Sequence, residues 1–200
     1  MKVSTKELDD KKPEIPTHEF ESALDWSKWL VEHHSREEGI WLRFFKKGSG
    51  VVSINYDEAL DEALCYGWID GQVKRFDAQS YLQKFTPRRS RSVWSKRNVD
   101  HVARLIAAGK MTLAGLKQVD AAKADGRWQR AYDSPSTMRV PDDFLNALAK
   151  NRKAKDFFQT LNRANLYAIA WRLQTAKKAE TRERRLRTII EMLEQGKRFH

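Results

Sequence analysis

Residues 68–85, WIDGQVKRFDAQSYLQKF, set the tightest limit on what this chain can fold into. Two short runs with strand patterning, Trp68–Arg75 and Ser80–Phe85, flank Asp77-Ala78-Gln79 as a turn, which predicts a small antiparallel sheet. Upstream, IWLRFFKK at 40–47 is aromatic and dense enough for a buried strand, closed by Gly48-Ser49-Gly50. An all-helical reading is thereby excluded for the N-terminal part.

Helical spacing governs most of the remainder. Ser22 with Asp25 resembles a capping pair, and Ala23, Trp26, Leu30 and His33 recur as one face, which predicts a helix over about 22–35. YDEALDEALCY carries the stripe Ala59, Leu60, Ala63 and Leu64, with Asp57 and Glu58 placed to complement the helix dipole. Gly67 then allows the turn from helix to strand through a positive φ. Beyond the sheet, Ser95 caps a helix expected to turn Val99, Val102, Leu105 and Ile106 inward, with Gly109 as its stop. Thr112 opens the next helix, which runs to Asp125-Gly126. DDFLNALAK, a segment around DFFQTL, LYAIAWRL and RLRTIIEMLEQG supply further helices, the last with the stripe Leu186, Ile189, Ile190 and Leu193.

The expected class is α+β, with a small antiparallel sheet and helices in the N-terminal part and a helical C-terminal part. Residues 1–16 read as a flexible leader, 17–134 as the α+β domain and 135–200 as a helical subdomain packed on it. The boundary is placed at SPSTMRVP, between Pro135 and Pro141.

Two hundred residues suffice for a real core, and a single cysteine makes no intramolecular disulfide, which fits a reducing compartment. MKVSTKELDDKKPEIP has charges where an export signal needs an apolar stretch, and no run approaches the roughly 18 apolar residues of a membrane span. A cytoplasmic protein without membrane insertion is expected. The formal charge of +11 is unevenly spread, at −4 over residues 1–75, +8 over 76–140 and +7 over 141–200. Solvated helix faces are the commoner cause of such basicity, but it also suits an acidic partner such as nucleic acid, a phosphorylated metabolite or a lipid head group.

Neither a metal nor a cofactor is expected. His33 and His34 point to different faces of one helix, His18, His101 and His200 lie in unrelated elements, and the nucleotide-binding and hydrolase motifs are missing. Cys65, next to the stripe of its helix, reads as a buried small hydrophobe. Asp70, between Trp68-Ile69 and Gly71, is either a turn or ladder residue or an acid/base facing a cleft. FTPRRSRSVWSKRN at 85–98 gathers Arg88, Arg89, Arg91, Lys96 and Arg97 with Trp94 ahead of a helix N-terminus, the parts of a phosphate or carboxylate site. DGRWQRAY at 125–132 repeats that chemistry with Arg127 and Trp128. The leading expectation is a pocket for a small anionic ligand lined by Trp68, Asp70, Arg88, Arg89, Trp94, Lys96, Arg127 and Trp128. Its alternatives are an enzyme using Asp70 as acid or base on an anionic substrate, and nucleic-acid binding through the basic C-terminal two thirds, where KKAETRERRLR forms a charged helix.

Four blocks in this order, EALDEALCYGWIDGQVKRFD, FTPRRSRSVWSKRN, GKMTLAGLKQVDAAKADGRWQRAYD and AKKAETRERRLRTIIEML, resemble the YdeI/OmpD-associated family, also labelled bacteriocin-protection proteins, over about residues 17–200. The resemblance implies an α+β N-terminal part, a helical C-terminal part and a role in envelope stress and in bacteriocin or cationic-peptide tolerance. Association with an outer-membrane porin follows only from the family's name, and no catalytic residue or cofactor is implied. Its blocks fall on Cys65, Trp68, Asp70 and Gly71, on Thr86, Pro87 and Arg88, on Ser92 and Trp94 to Asn98, and on Asp125 to Trp128.

Overall fold

The computed structural model describes residues 15–134 and 136–200, so residues 1–14 of the expected leader and Pro135 lie outside the described residues. The chain divides into two compact units. One comprises the described residues up to Arg89 together with Gly109–Gln118, and the other Ser90–Ala108 together with Val119–His200. The border expected at 135 falls inside the second unit.

The first unit is built on a four-stranded sheet. Its strands are β1 (Thr17–His18), β2 (Ile40–Phe45), β3 (Trp68–Arg75) and β4 (Ser80–Pro87), in the order β1-β2-β4-β3. The hairpin β3–β4 forms as its pattern predicts, and β2 pairs antiparallel with β4, with Ile40 opposite Phe85 and Phe44 opposite Tyr81. The sheet departs from the wholly antiparallel expectation at β1, which runs parallel to β2. Two residues cannot display an alternating pattern, and β1 exists through pairing alone, next to the Trp41 amide donating to the Pro16 carbonyl at 2.8 Å.

The turn at 77–79 is held by its own first residue. Asp77 Oδ1 accepts from the amides of Gln79 and Ser80 at 2.8 and 2.7 Å, and Oδ2 accepts from Arg43 Nη2 at 2.6 Å. The Ser80 hydroxyl, then the Gln79 and Ser80 amides and Arg43, outweigh partial desolvation and hold the Asp77 carboxyl at about 2, below its ordinary 3.8. A depressed carboxyl contributes stability that is complete above its unfolded value and is lost as the pH falls from there through about 2. Urea midpoints measured from pH 5 downward are therefore expected to drop more steeply in the wild type than in Asp77→Asn, and salt will shrink the difference because the group is exposed.

One face of the sheet carries the core. Ile40, Leu42, Phe44, Trp68 and Phe85 pack with Trp26 and Leu30 of α1 (Ala23–His33) and with Ala59 and Ala63 of α2 (Tyr56–Cys65). Ser22 caps α1 through the Asp25 amide, and the Trp26 indole N–H donates to the Ala59 carbonyl at 3.1 Å, tying the two helices together. Helix α2 begins with a reciprocal capping box between Asn55 and Glu58. Cys65 is buried, as its place beside the apolar stripe predicts.

Behind Cys65 the backbone makes an unusually close approach. Thr112, ahead of α4 (Leu113–Ala124), donates its amide and hydroxyl to the Cys65 carbonyl at 3.2 and 2.6 Å. Gly67 adopts φ 75°, and a Cβ there would sit 2.9 Å from the Ala114 carbonyl oxygen. A Cβ on Gly115 would collide with the carbonyl oxygens of Cys65 and Leu64. Each side of this contact is therefore a glycine.

In the second unit, Ser95 caps α3 (Lys96–Ala107) by accepting from the Asn98 amide at 3.1 Å. Its buried face is Asn98, Val102 and Leu105. Ile106, expected inward, is 42% exposed, and Val99 is half-buried. Residues 98, 102 and 105 fall within about 60° of helical rotation, and 106 lies roughly 70° from the centre of that line. Helices α5 (Asp142–Leu148), α6 (Arg152–Phe158), α7 (Arg163–Gln174) and α8 (Ala179–Glu194) surround Phe144, Leu148, Ala154, Ile169, Leu173, Ile189 and Leu193. The α8 stripe packs as its spacing predicts, with Leu186 and Ile190 against the same cluster. Among the described residues, no helix is long and apolar enough to cross a membrane.

Candidate functional site

The eight residues expected to line one pocket are divided between the units, with Trp68, Asp70, Arg88 and Arg89 in the first and Trp94, Lys96, Arg127 and Trp128 in the second. Trp68 is 1% exposed, and its indole N–H donates to the His34 carbonyl at 3.0 Å. Asp70 is half-buried and accepts from the Tyr56 hydroxyl at 2.8 Å. The ladder shifts register between Asp70 and Val73, and the Gly71 carbonyl within that bulge accepts from Gln83 Nε2 at 2.8 Å. A Cβ on Gly71 would lie at an ordinary 3.6 Å from the Lys84 carbonyl oxygen, so this glycine is not required for close approach. Arg88 is buried, with its amide donating to the Gly67 carbonyl at 2.9 Å, whereas Arg89 is exposed.

Trp94, Arg127 and Trp128 come together in the second unit. The two indoles lie 4.9 Å apart, tilted at 59°. Arg127, 5% exposed, donates Nε to both Asp125 oxygens at 2.9 and 2.6 Å and Nη1 to the Ser92 carbonyl at 3.0 Å. That hydrogen-bonded guanidinium holds the Asp125 carboxyl below its ordinary range. Lys96 reaches Asp133 at 2.6 Å, and Gln174 Nε2 donates to the same carboxylate at 2.9 Å. Lys96 first and Gln174 second hold the Asp133 carboxyl down. Asp133 follows Tyr132, which bridges Ser95 in parallel, so the chain itself delivers this acid to the start of α3. Both cationic positions thus carry internal counter-charges.

An Arg/Trp-lined cavity does occur in this unit, at residues that patterning left largely unmarked. It measures about 330 Å³ and is lined by Trp171, Arg172, Arg184, Arg185, Thr188, Ile189 and Phe199. Helix α7 supplies Trp171 and Arg172, α8 supplies Arg184 to Ile189, and Phe199 comes from the segment after α8. The Arg172 guanidinium lies 3.9 Å from the centre of the Phe199 ring and donates to the Ala168 carbonyl at 3.3 Å. Arg185 donates to the Arg172 carbonyl at 2.6 Å. Tyr132 stands edge-on to Trp171 at 6.2 Å. Phe199 is kept in place by Asn165, a buried side chain whose Oδ1 accepts from the amides of Phe199 and His200 at 3.0 and 3.1 Å.

Three guanidiniums and no carboxylate line this cavity, and the hydrogen bonds of Arg172 and Arg185 run to neutral oxygens. Guanidiniums without a neighbouring acid are the donors that carboxylates and phosphates pair with. KKAETRERRLR marked α8 as basic, but Arg172, Trp171 and Phe199 join it only through helix packing. Among the described residues, no group of three His, Cys, Asp or Glu side chains is placed to hold a metal ion.

Residues 18–118, just over half of the 200-residue chain, match a domain of unknown function, DUF8412. The chain belongs to the DUF8412 family. Its sheet apart from Thr17, together with α1, α2 and the CYGWIDG, FTPR and SxWSKRN blocks, falls within the DUF8412 match. Residues 137–196 match a second family, described as bacteriocin-protection, YdeI or OmpD-associated, so the resemblance read from the motifs holds over the segment carrying α5 to α8. DGRW, at 125–128, lies between the two matches. No curated protein and no solved structure matches this DUF8412 protein.

Proposed function

We propose that this protein is a cytoplasmic stress-tolerance protein, acting in tolerance of bacteriocins or other cationic peptides, that works by binding a small anionic ligand between α7 and α8. The observation that carries the reading is a cavity of about 330 Å³ lined by three arginines, two aromatic rings and no acid. That volume lies at the lower end of small-ligand sites, roughly 300–1,000 Å³. Arg184 and Arg185 offer forked donors to a carboxylate or phosphate, Thr188 adds a hydroxyl, and Trp171 and Phe199 accept a flat or apolar body. All of these residues except Phe199 lie within the bacteriocin-protection match. In this reading, Trp94, Arg127 and Trp128 brace the unit and leave ligand binding to the α7–α8 cavity.

Thermal-shift screening against phosphorylated and carboxylated metabolites tests it. A ligand at 100 times its dissociation constant stabilises by about 2.7 kcal/mol. Arg184→Ala/Arg185→Ala is expected to weaken that ligand by about 100-fold or more, since a hydrogen bond to a charged group contributes roughly 1.5–3 kcal/mol. A shift that persists in the double variant counts against the cavity. Binding of single-stranded oligonucleotides that falls steeply with salt, with no metabolite effective, would replace the reading with nucleic-acid recognition.

A further inference from the structure

A second cavity in the same unit is larger and of different chemistry. It measures about 700 Å³ and lies among the loop before α5, the end of α6 and the first turns of α7. Its apolar wall includes Val140, Leu145, Phe158 and Leu166. Leu145 is 39% exposed although its neighbours Phe144 and Leu148 are core, so α5 turns one leucine away from the core. Phe158 is backed by Phe144 at 6.0 Å. On α7, Arg163, Leu166 and Tyr167 follow i, i+3, i+4 spacing, which puts a cation, an apolar side chain and a phenol on one side of the helix.

The polar groups have one sign in excess. Arg139 and Arg163 both line the groove, against Asp142 as its single acid. Neighbouring Asp143 is already engaged by Arg182 through paired guanidinium bonds. Lys96, Arg127, Arg152 and Arg182 are engaged in ion pairs within this unit, whereas Arg139 and Arg163 are exposed. Burial, with the Tyr132 phenol adding to it, raises Tyr167 and keeps its hydroxyl a donor.

We propose that this groove is a second ligand site, which takes a single-chain amphipathic anion, an alkyl carboxylate, with its head at Arg139 and Arg163 and its chain along Leu145, Phe158 and Leu166. Charge complementarity selects the head group, and the apolar wall gives the tail a reason to leave water. None of these residues lines the α7–α8 cavity, so the site does not rest on the function proposed above.

Isothermal titration of the full chain with hexanoate, octanoate and decanoate, each below its critical micelle concentration, reads both halves of the idea. Affinity is expected to rise about fourfold for each added methylene until the groove is filled. Uncharged 1-octanol should bind at least about tenfold more weakly than octanoate. Arg139→Ala/Arg163→Ala should bring octanoate down to the level of the alcohol, and Leu145→Asp should flatten the chain-length series. All three positions are exposed, so unchanged melting temperatures will confirm that the variants fold. Arg184→Ala/Arg185→Ala should leave the alkanoate series intact. The proposal is overturned by affinity indifferent to chain length, by equal affinity for acid and alcohol, by full retention in the Arg139/Arg163 variant, or by loss in the Arg184/Arg185 variant.

Discussion

Trp68→Ala is expected to destabilise the first unit by about 3–5 kcal/mol, the range for deleting a buried large aromatic. The ring is 1% exposed and stands edge-on to Trp26 and Trp29 at 6.2 and 5.8 Å. Its removal leaves a cavity under the sheet and strips the His34 carbonyl of its indole donor. Trp68→Phe should cost clearly less, because a ring still fills most of the space. Urea denaturation followed by far-ultraviolet circular dichroism will separate the two, and an unchanged slope will show that the denatured state is unaltered. Little loss from Trp68→Ala would mean that the residue is not the core element its burial indicates.

Gly115→Ala should also destabilise, against the usual sign of that substitution in a helix. Alanine is normally better there by roughly 0.5–1 kcal/mol. At this position its Cβ meets two backbone oxygens, those of Cys65 and Leu64, and neither can rotate away as a side chain does. The Thr112 bonds to the Cys65 carbonyl hold the same contact closed. Overpacking of this kind costs typically about 1–3 kcal/mol, and the backbone clash places Gly115→Ala at the upper end. Gly71→Ala is the internal control. Its Cβ would have 3.6 Å to the nearest oxygen, so a change within about ±0.5 kcal/mol is expected. Equal melting temperatures for the two variants would refute the tight approach at Gly115.

Features whose chemistry acts within a few residues were legible in the sequence. Ser22 and Ser95 cap the helices they precede, Gly109 and Gly126 adopt the positive φ their positions require, and Asp77 closes the hairpin turn. Features that need a distant partner were not. Strand β1 is defined by pairing with β2, and the buried face of α3 includes Asn98, a polar residue, while Ile106 is left exposed. The site divides along the same line. Trp94, Arg127 and Trp128 were recognisable as a group, and Asp125, two residues from Arg127, was the available sign that this arginine is neutralised internally. By contrast, Arg172 meets Arg185 across two helices, and Phe199 arrives through hydrogen bonds to Asn165, thirty-odd residues earlier. No periodicity records either event.

The threading of the chain bears on how such a protein is inherited. The DUF8412 match and the first unit both end at residue 118, yet the match also contains α3, whose buried face belongs to the second unit. A gene rearrangement cut after codon 118 would carry α3 off with the sheet. One cut after codon 89 would instead strip away residues 109–118, and with them the Thr112 bonds behind Cys65. No single break releases either unit whole, so neither can be produced by itself as one contiguous stretch of this chain.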